Sequence, residues 1–202
     1  LRSFEVSKLR LFVAIDIEES IRARLAEFIE QVRGYAPHAR WQKPESLHVT
    51  LKFLGETADD RAARVRELLA QVRHPAVTIR FAGTGFFPTT RAARVFWAGV
   101  EGGELLAELA RKIDDAMAQA GFEREQRAFH PHLTLARSSA RASGNPHQPP
   151  HGGGSPFRKL AETLAGAPAD FGTMTAHEFY LYLSKLGPKG AQYTKIAGFP
   201  LP

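Results

Sequence analysis

The chain has no cysteine among its 202 residues. Disulfide scaffolds, thiolate zinc sites, iron–sulfur clusters and cysteine nucleophiles are therefore excluded together. Long apolar runs are missing too, since no stretch approaches the ~18–20 residues that span a bilayer. The opening residues, Leu1-Arg2-Ser3-Phe4-Glu5, lack the basic-then-apolar layout of a secretory signal, so a cytoplasmic setting is expected. Neither a Walker loop nor a dinucleotide fingerprint occurs, and the Pro-flanked Gly152-Gly153-Gly154 reads as linker. No large excess of one charge exists either. The 27 basic and 21 acidic residues leave +6, which admits an anionic partner without demanding one. What remains is ordinary globular composition, 44% hydrophobic and 24% charged, enough for one large domain or two lobes sharing a core.

Two kinds of period alternate along the chain. Leu9–Ile17 (LRLFVAIDI) is a β-branched and aromatic run that reads as a buried strand. Ile21, Leu25, Phe28, Ile29 and Val32 follow helical spacing after Glu18-Glu19-Ser20, and Gly34 ends that helix. Strands are predicted over Leu47–Leu54, Val77–Phe81, Arg94–Val100, Phe129–Ala136, Glu178–Leu186 and Gln192–Ala197. Helices are predicted over Thr57–Val72 and Leu105–Ala120, with a short one over Phe157–Ala165. The whole reads as α+β, with a hint that one strand–helix module is used twice. From Ser138 to Pro156 no large apolar residue occurs, so a flexible Gly/Pro-rich loop is expected inside a single domain spanning residues 1–202.

Two tetrapeptides share one pattern, His48-Val49-Thr50-Leu51 and His132-Leu133-Thr134-Leu135. Both fall in predicted strands, where residues i and i+2 point to one face. Each motif thus presents an imidazole beside a hydroxyl, while Val49, Leu51, Leu133 and Leu135 pack on the other side. A single such pair is ordinarily a sheet feature; two in matching settings point to function. Two facing imidazoles, one neutral and one cationic, suit in-line displacement at phosphorus, with the threonine hydroxyls holding the non-bridging oxygens. That chemistry calls for no metal and no cofactor.

These residues resemble the two-histidine (2H) phosphoesterase superfamily, most closely its RNA 2′,3′-cyclic phosphodiesterase branch, once described as 2′-5′ RNA ligases. The resemblance runs through Arg10–Ile15, Trp41, Pro44–Gly55, Gly85–Pro88, Arg94–Val100 and Phe129–Arg137. It implies two pseudo-symmetric α/β lobes whose antiparallel sheets line a central cleft. It also implies opening of RNA 2′,3′-cyclic phosphate ends, or of small cyclic nucleotides, to 2′-phosphomonoesters. In the family's chemistry His48 is the general acid and His132 the general base. Thr50, Thr134 and Arg137 carry over as phosphate ligands. Phe53 matches an aromatic that stacks on a base, with a plain core role the equal alternative. His130 stands where relatives often carry a basic residue, either contacting phosphate or tuning His132. A monomer, without membrane attachment, is expected.

Two other readings stay open: reverse ligation or action on another 2′-linked or cyclic nucleotide, and an RNA-end-binding module without turnover. His130, His132, His147 and His151 make a poor zinc set, because the last two sit in the Pro/Gly loop. Trp41 and Trp97 are expected in the core, and Arg61, Arg64, Arg66 and Arg73 on a solvated face. Lys185, Lys189 and Lys195 are weaker candidates for guiding RNA toward the cleft.

Overall fold

The computed structural model describes residues 8–139, 155–187 and 190–202. Strand β1 (Lys8–Asp16) is followed by α1 (Glu19–Val32), the short β2 (Ala39–Trp41), β3 (His48–Ala58) and α2 (Asp59–Leu69). Then come β4 (Val77–Phe87), β5 (Val95–Glu101), α3 (Gly103–Gln119), β6 (His132–Ser138) and α4 (Arg158–Thr163). Strands β7 (Asp170–Ala176), β8 (Glu178–Gly187) and β9 (Gly190–Pro200) close the chain.

The strands form two antiparallel sheets, one in the order β3-β1-β8-β9 and the other β2-β6-β5-β4-β7. Apart from the edge strand β2, the orders correspond term by term. The β1-α1-β3 unit thus has its counterpart in β5-α3-β6, the twice-used module expected from sequence. Each module's helix packs on the opposite sheet: α1 lies against β7 and α3 against β3. Phe28 of α1, for example, meets the Phe171 ring of β7 at 5.1 Å. One apolar core runs through both halves.

The uninterrupted apolar run of β1 follows from its place inside the first sheet. Leu11, Val13 and Ile15 enter the main core, whereas Phe12 and Ala14 join Tyr182 in a separate cluster on the other face. In α1 the buried positions are Ile21, Leu25, Ile29 and Val32, one stripe of a 3.6-residue period.

Several boundaries differ from those read off the sequence. Strand β3 continues to Ala58, and α2 is correspondingly confined to Asp59–Leu69. Strand β6 begins at His132, so Phe129, His130 and Pro131 approach it as irregular chain. Strands β2 and β7 were not anticipated. The described ends of the Gly/Pro-rich stretch are anchored: Ser139 Oγ donates to the His38 carbonyl at 2.8 Å, and Ser155 Oγ to the Ala93 carbonyl at 2.9 Å. The body of the expected loop, with His147 and His151, and Lys189 lie outside the described residues. Among the described residues no helix is long and apolar enough to cross a membrane.

Candidate active site

The two H-x-T-L motifs open β3 and β6, and these strands approach each other between the sheets. In each motif the final leucine is a β-bulge. Val13 pairs with Lys52 but Ala14 with Thr50, so Leu51 is the extra residue. Phe96 pairs with Ala136 but Trp97 with Thr134, so Leu135 is the extra residue. A bulge resets the side-chain phase of its strand. Leu51 and Lys52 are consequently both buried, and Phe53 comes round to the face of His48 and Thr50, 68% exposed. Leu135 and Ala136 are likewise buried, and Arg137 joins the face of His132 and Thr134. The bulged Leu135 carbonyl accepts a bond from the Gln42 amide at 2.8 Å, which docks the segment leading from β2.

Both histidines are held by the same local device. His48 Nδ1 lies 2.8 Å from the Ser46 carbonyl oxygen, and His132 Nδ1 lies 2.8 Å from the His130 carbonyl oxygen. A carbonyl only accepts, so each Nδ1 carries a proton and donates. The neutral ring then has a bare lone pair on Nε2, and the cation has a donor there. Among the described residues neither Nε2 has a hydrogen-bond partner. Each imidazole is thus set to take or give one proton at Nε2.

The surroundings of the two rings differ. His48 packs among Phe12 at 4.7 Å, Tyr193 edge-on at 5.0 Å and Tyr182 at 5.8 Å. Burial holds its pKa below the ordinary histidine value. The Ser46 bond and the Asp16 carboxylate oppose that shift, while Arg137 and His132 add to it. His132 meets Phe87 edge-on at 5.0 Å. Burial lowers its pKa too, against the His130 carbonyl bond and with help from Arg137 and the His130 side chain. Arg137 therefore acts on both rings, and its Nη2 lies 3.5 Å from Thr134 Oγ1.

A cavity of about 440 Å³ opens beside His132, lined by Phe87, Trp97, Gly99, Glu101 and His130 among others. Trp97 is a correction to its expected core position. It pairs with Thr134 and so belongs to the site face. A Cβ on Gly85 would stand 2.1 Å from a Trp97 ring atom, so glycine is what lets the indole lie over β4. Another hollow, about 460 Å³, is lined by Glu19, Arg22, Pro44 and Glu45. It contains neither histidine.

The fold thus brings His48, Thr50 and Phe53 together on one sheet and His132, Thr134 and Arg137 on the other. His130 lines the cavity and supplies the carbonyl that holds His132. Trp41 packs against the core, as expected. Arg61 is not simply solvated: its Nε donates to the Ala120 carbonyl at 2.9 Å and its guanidinium lies 3.7 Å from the centre of the Phe122 ring. Among the described residues no three histidine or carboxylate side chains form a metal-ligand group. Sequence reading missed Asp16, Tyr180, Tyr182 and Tyr193. Lys195, weighed only as an RNA guide, sits at 4.0 Å over the Tyr180 ring and pairs with Asp16.

Residues 19–177 match the family model described as the 2′-5′ RNA ligase superfamily. The chain belongs to that superfamily. Similar proteins include the RNA 2′,3′-cyclic phosphodiesterase of Archaeoglobus fulgidus, 32% identical over 95% of this chain and 99% of that protein. The protein of the same name from Thermus thermophilus is 33% identical over 96% of this chain and 90% of its own. Among solved structures, E. coli LigT complexed with 3′-AMP superposes with a TM-score of 0.75 at 26% identity, covering 96% of this chain and 99% of that one. The two-sheet mixed α/β architecture of this superfamily member is the fold expected from its sequence.

Proposed function

We propose that the chain hydrolyses RNA 2′,3′-cyclic phosphate ends to 2′-phosphomonoesters. The observation that carries this is the pair of like-held imidazoles, one per sheet, each with Nε2 open. The relatives' names as RNA 2′,3′-cyclic phosphodiesterases agree with it. His132 Nε2 takes a proton from water as the water oxygen bonds to phosphorus. The P–O3′ bond breaks on the opposite side, and His48 Nε2–H protonates the departing oxygen. Thr50, Thr134 and Arg137 hold the non-bridging oxygens as charge builds on them. Incubating a 2′,3′-cyclic nucleotide with the protein and following the product tests this; absence of any product favours an RNA-end-binding role instead.

Phe53 is 68% exposed and its ring lies 6.1 Å from that of Phe12, which packs on His48. It offers a face to the substrate base. Base stacking on an aromatic contributes ~1–3 kcal/mol, so Phe53→Ala should raise KM about tenfold with little change in kcat. A KM within twofold of the parent would remove Phe53 from the site.

The pH profile follows from the shifts. Below the His132 pKa the base is protonated, and above the His48 pKa the acid is lost, so activity falls on both sides. Both values lie under the ordinary ~6.5, so kcat/KM should peak on the acid side of pH 6.5. A bound phosphate anion favours imidazolium, so the kcat profile should stand at higher pH. A kcat/KM profile flat from pH 5 to 8 would contradict the two-histidine assignment.

A second reading is favoured by the cavity beside His132. Its 440 Å³ far exceeds the ~30 Å³ share of one water. An alcohol larger than water, such as a 5′-hydroxyl nucleoside, then has room to attack in its place. A 2′-5′-linked product formed from a cyclic nucleotide and excess nucleoside would establish that activity.

A further inference from the structure

The two H-x-T-L motifs correspond residue by residue, bulge included, but the residue across from each histidine differs. Asp16 pairs with His48 between β1 and β3. The corresponding residue across from His132, between β5 and β6, is Gly99. A Cβ there would stand 2.2 Å from the Ala82 carbonyl oxygen, so no side chain fits beside His132 from that strand. Directly opposed residues on paired strands have their Cβ atoms only ~5 Å apart. One histidine therefore has a carboxylate on the adjoining strand, and the other has bare backbone.

Asp16 is fixed in place. Its Oδ1 accepts from Arg22 Nη2 at 2.8 Å and from the Ile17 amide at 2.9 Å, and its Oδ2 meets Lys195 Nζ at 2.5 Å. These cations hold its pKa below the usual aspartate value despite burial, so it is a carboxylate wherever the histidines titrate. It makes no hydrogen bond to His48 and acts on the ring through space.

A two-histidine reaction has two singly protonated states, with the proton on either ring. Only one of them, with His48 cationic and His132 neutral, serves the direction proposed above. We propose that Asp16 is a positioning residue that selects this state, placing the shared proton on His48 rather than on His132. The inference rests on the acid and base roles proposed above. The groups around His48 are Asp16 from β1, His132 and Arg137 from β6, Tyr182 from β8 and Tyr193 from β9. Burial pushes the Tyr182 phenol up, so that neighbour stays neutral. Of the charged side chains that shift this ring Asp16 alone favours the cation; the Ser46 carbonyl bond also favours it but has its equivalent at His132. Around His132 stand Arg137 and His130, which disfavour a positive ring. Glu101 lines the same cavity, but it is not among the charges that shift His132, whereas Asp16 acts on His48 even with Arg22 and Lys195 beside it.

The sign of each perturbation is fixed. Asp16→Asn keeps the shape and the acceptor oxygen but deletes the charge, so His48 should lose its proton at lower pH. Lys195→Met leaves Asp16 less neutralised, so His48 should keep its proton to higher pH. A purely structural ion pair predicts no such opposition, because both variants break the same contact.

The test is an NMR titration of the His48 and His132 ring protons in the parent, Asp16→Asn and Lys195→Met proteins, with kcat/KM measured on a 2′,3′-cyclic nucleotide. Expected are opposite displacements of the His48 titration in the two variants. Expected too is a roughly three- to tenfold loss of kcat/KM for Asp16→Asn at pH 7.5, shrinking toward lower pH. An unmoved His48, or displacement in the same direction in both variants, overturns the assignment even if the protein opens cyclic phosphates. Opposite displacements with a parental pH dependence of kcat/KM in Asp16→Asn overturn it as well. Opposite displacements in the two variants, beside a parent that lacks activity on cyclic phosphates, overturn the hydrolase reading instead.

Discussion

Replacing His132 by glutamine should lower kcat on a 2′,3′-cyclic nucleotide by about 10³-fold, with KM changed less than about threefold. Glutamine fills a similar space but cannot take a proton near neutral pH, so the loss falls on the chemical step. His48→Gln should lose a comparable amount. The double variant should be no worse than about tenfold below either single one, because the two rings act as one relay and removing either disables it. The folded state should tolerate these changes: His132 is held by one backbone bond and one aromatic edge contact. Steady-state kinetics beside thermal melts would check both parts. Activity within tenfold of the parent in His132→Gln would show that some other group activates water.

The next largest effect concerns a residue outside the chemistry. Lys52→Ala should destabilise the protein by about 3 kcal/mol. The Lys52 side chain is 7% exposed; its Nζ donates to Asp114 of α3 and, at 2.6 Å, to the Glu123 carbonyl. Removing it strands a half-buried carboxylate whose other cation, Arg124, lies 3.9 Å away. The pair ties β3, immediately after its bulge, to α3 across the half boundary. Joint replacement by Lys52→Met and Asp114→Leu should cost less than Lys52→Ala alone, since no charge is left unpaired. Urea unfolding of the three variants measures this. A cost under about 1 kcal/mol for Lys52→Ala would mean that the pair is solvated.

Lys52 also marks where sequence reading stops. Alternation correctly separates His48 and Thr50 from Val49 and Leu51, and His132 and Thr134 from Leu133 and Leu135. Continued one step, it would put Lys52 on the site face and Phe53 in the core. The bulge reverses both, and a bulge leaves no composition of its own to read. The second copy carried part of the missing signal: Leu135-Ala136 is an apolar pair ahead of Arg137, and Leu51-Lys52 stands at the same place ahead of Phe53. Resemblance to relatives named both residues without explaining why they share a face with the histidines. Strand β2 was illegible because three residues carry no period, and β7 because Gly172, with φ of +102°, interrupts its alternation. Asp16 looked like the end of a strand. Its significance depends on Lys195 from the far end of the chain, a neighbour that only folding supplies.

The central claim, that a two-histidine relay opens cyclic phosphate on the 3′ side, is tested most directly by phosphorus NMR. The spectrum to record is that of the product from a 2′,3′-cyclic nucleotide, taken with the parent protein and with each single His→Gln variant. A single 2′-phosphomonoester resonance from the parent, absent over the same time with either variant, is the predicted result. A 3′-phosphomonoester, or the same product formed at parental rate without His132, would contradict it.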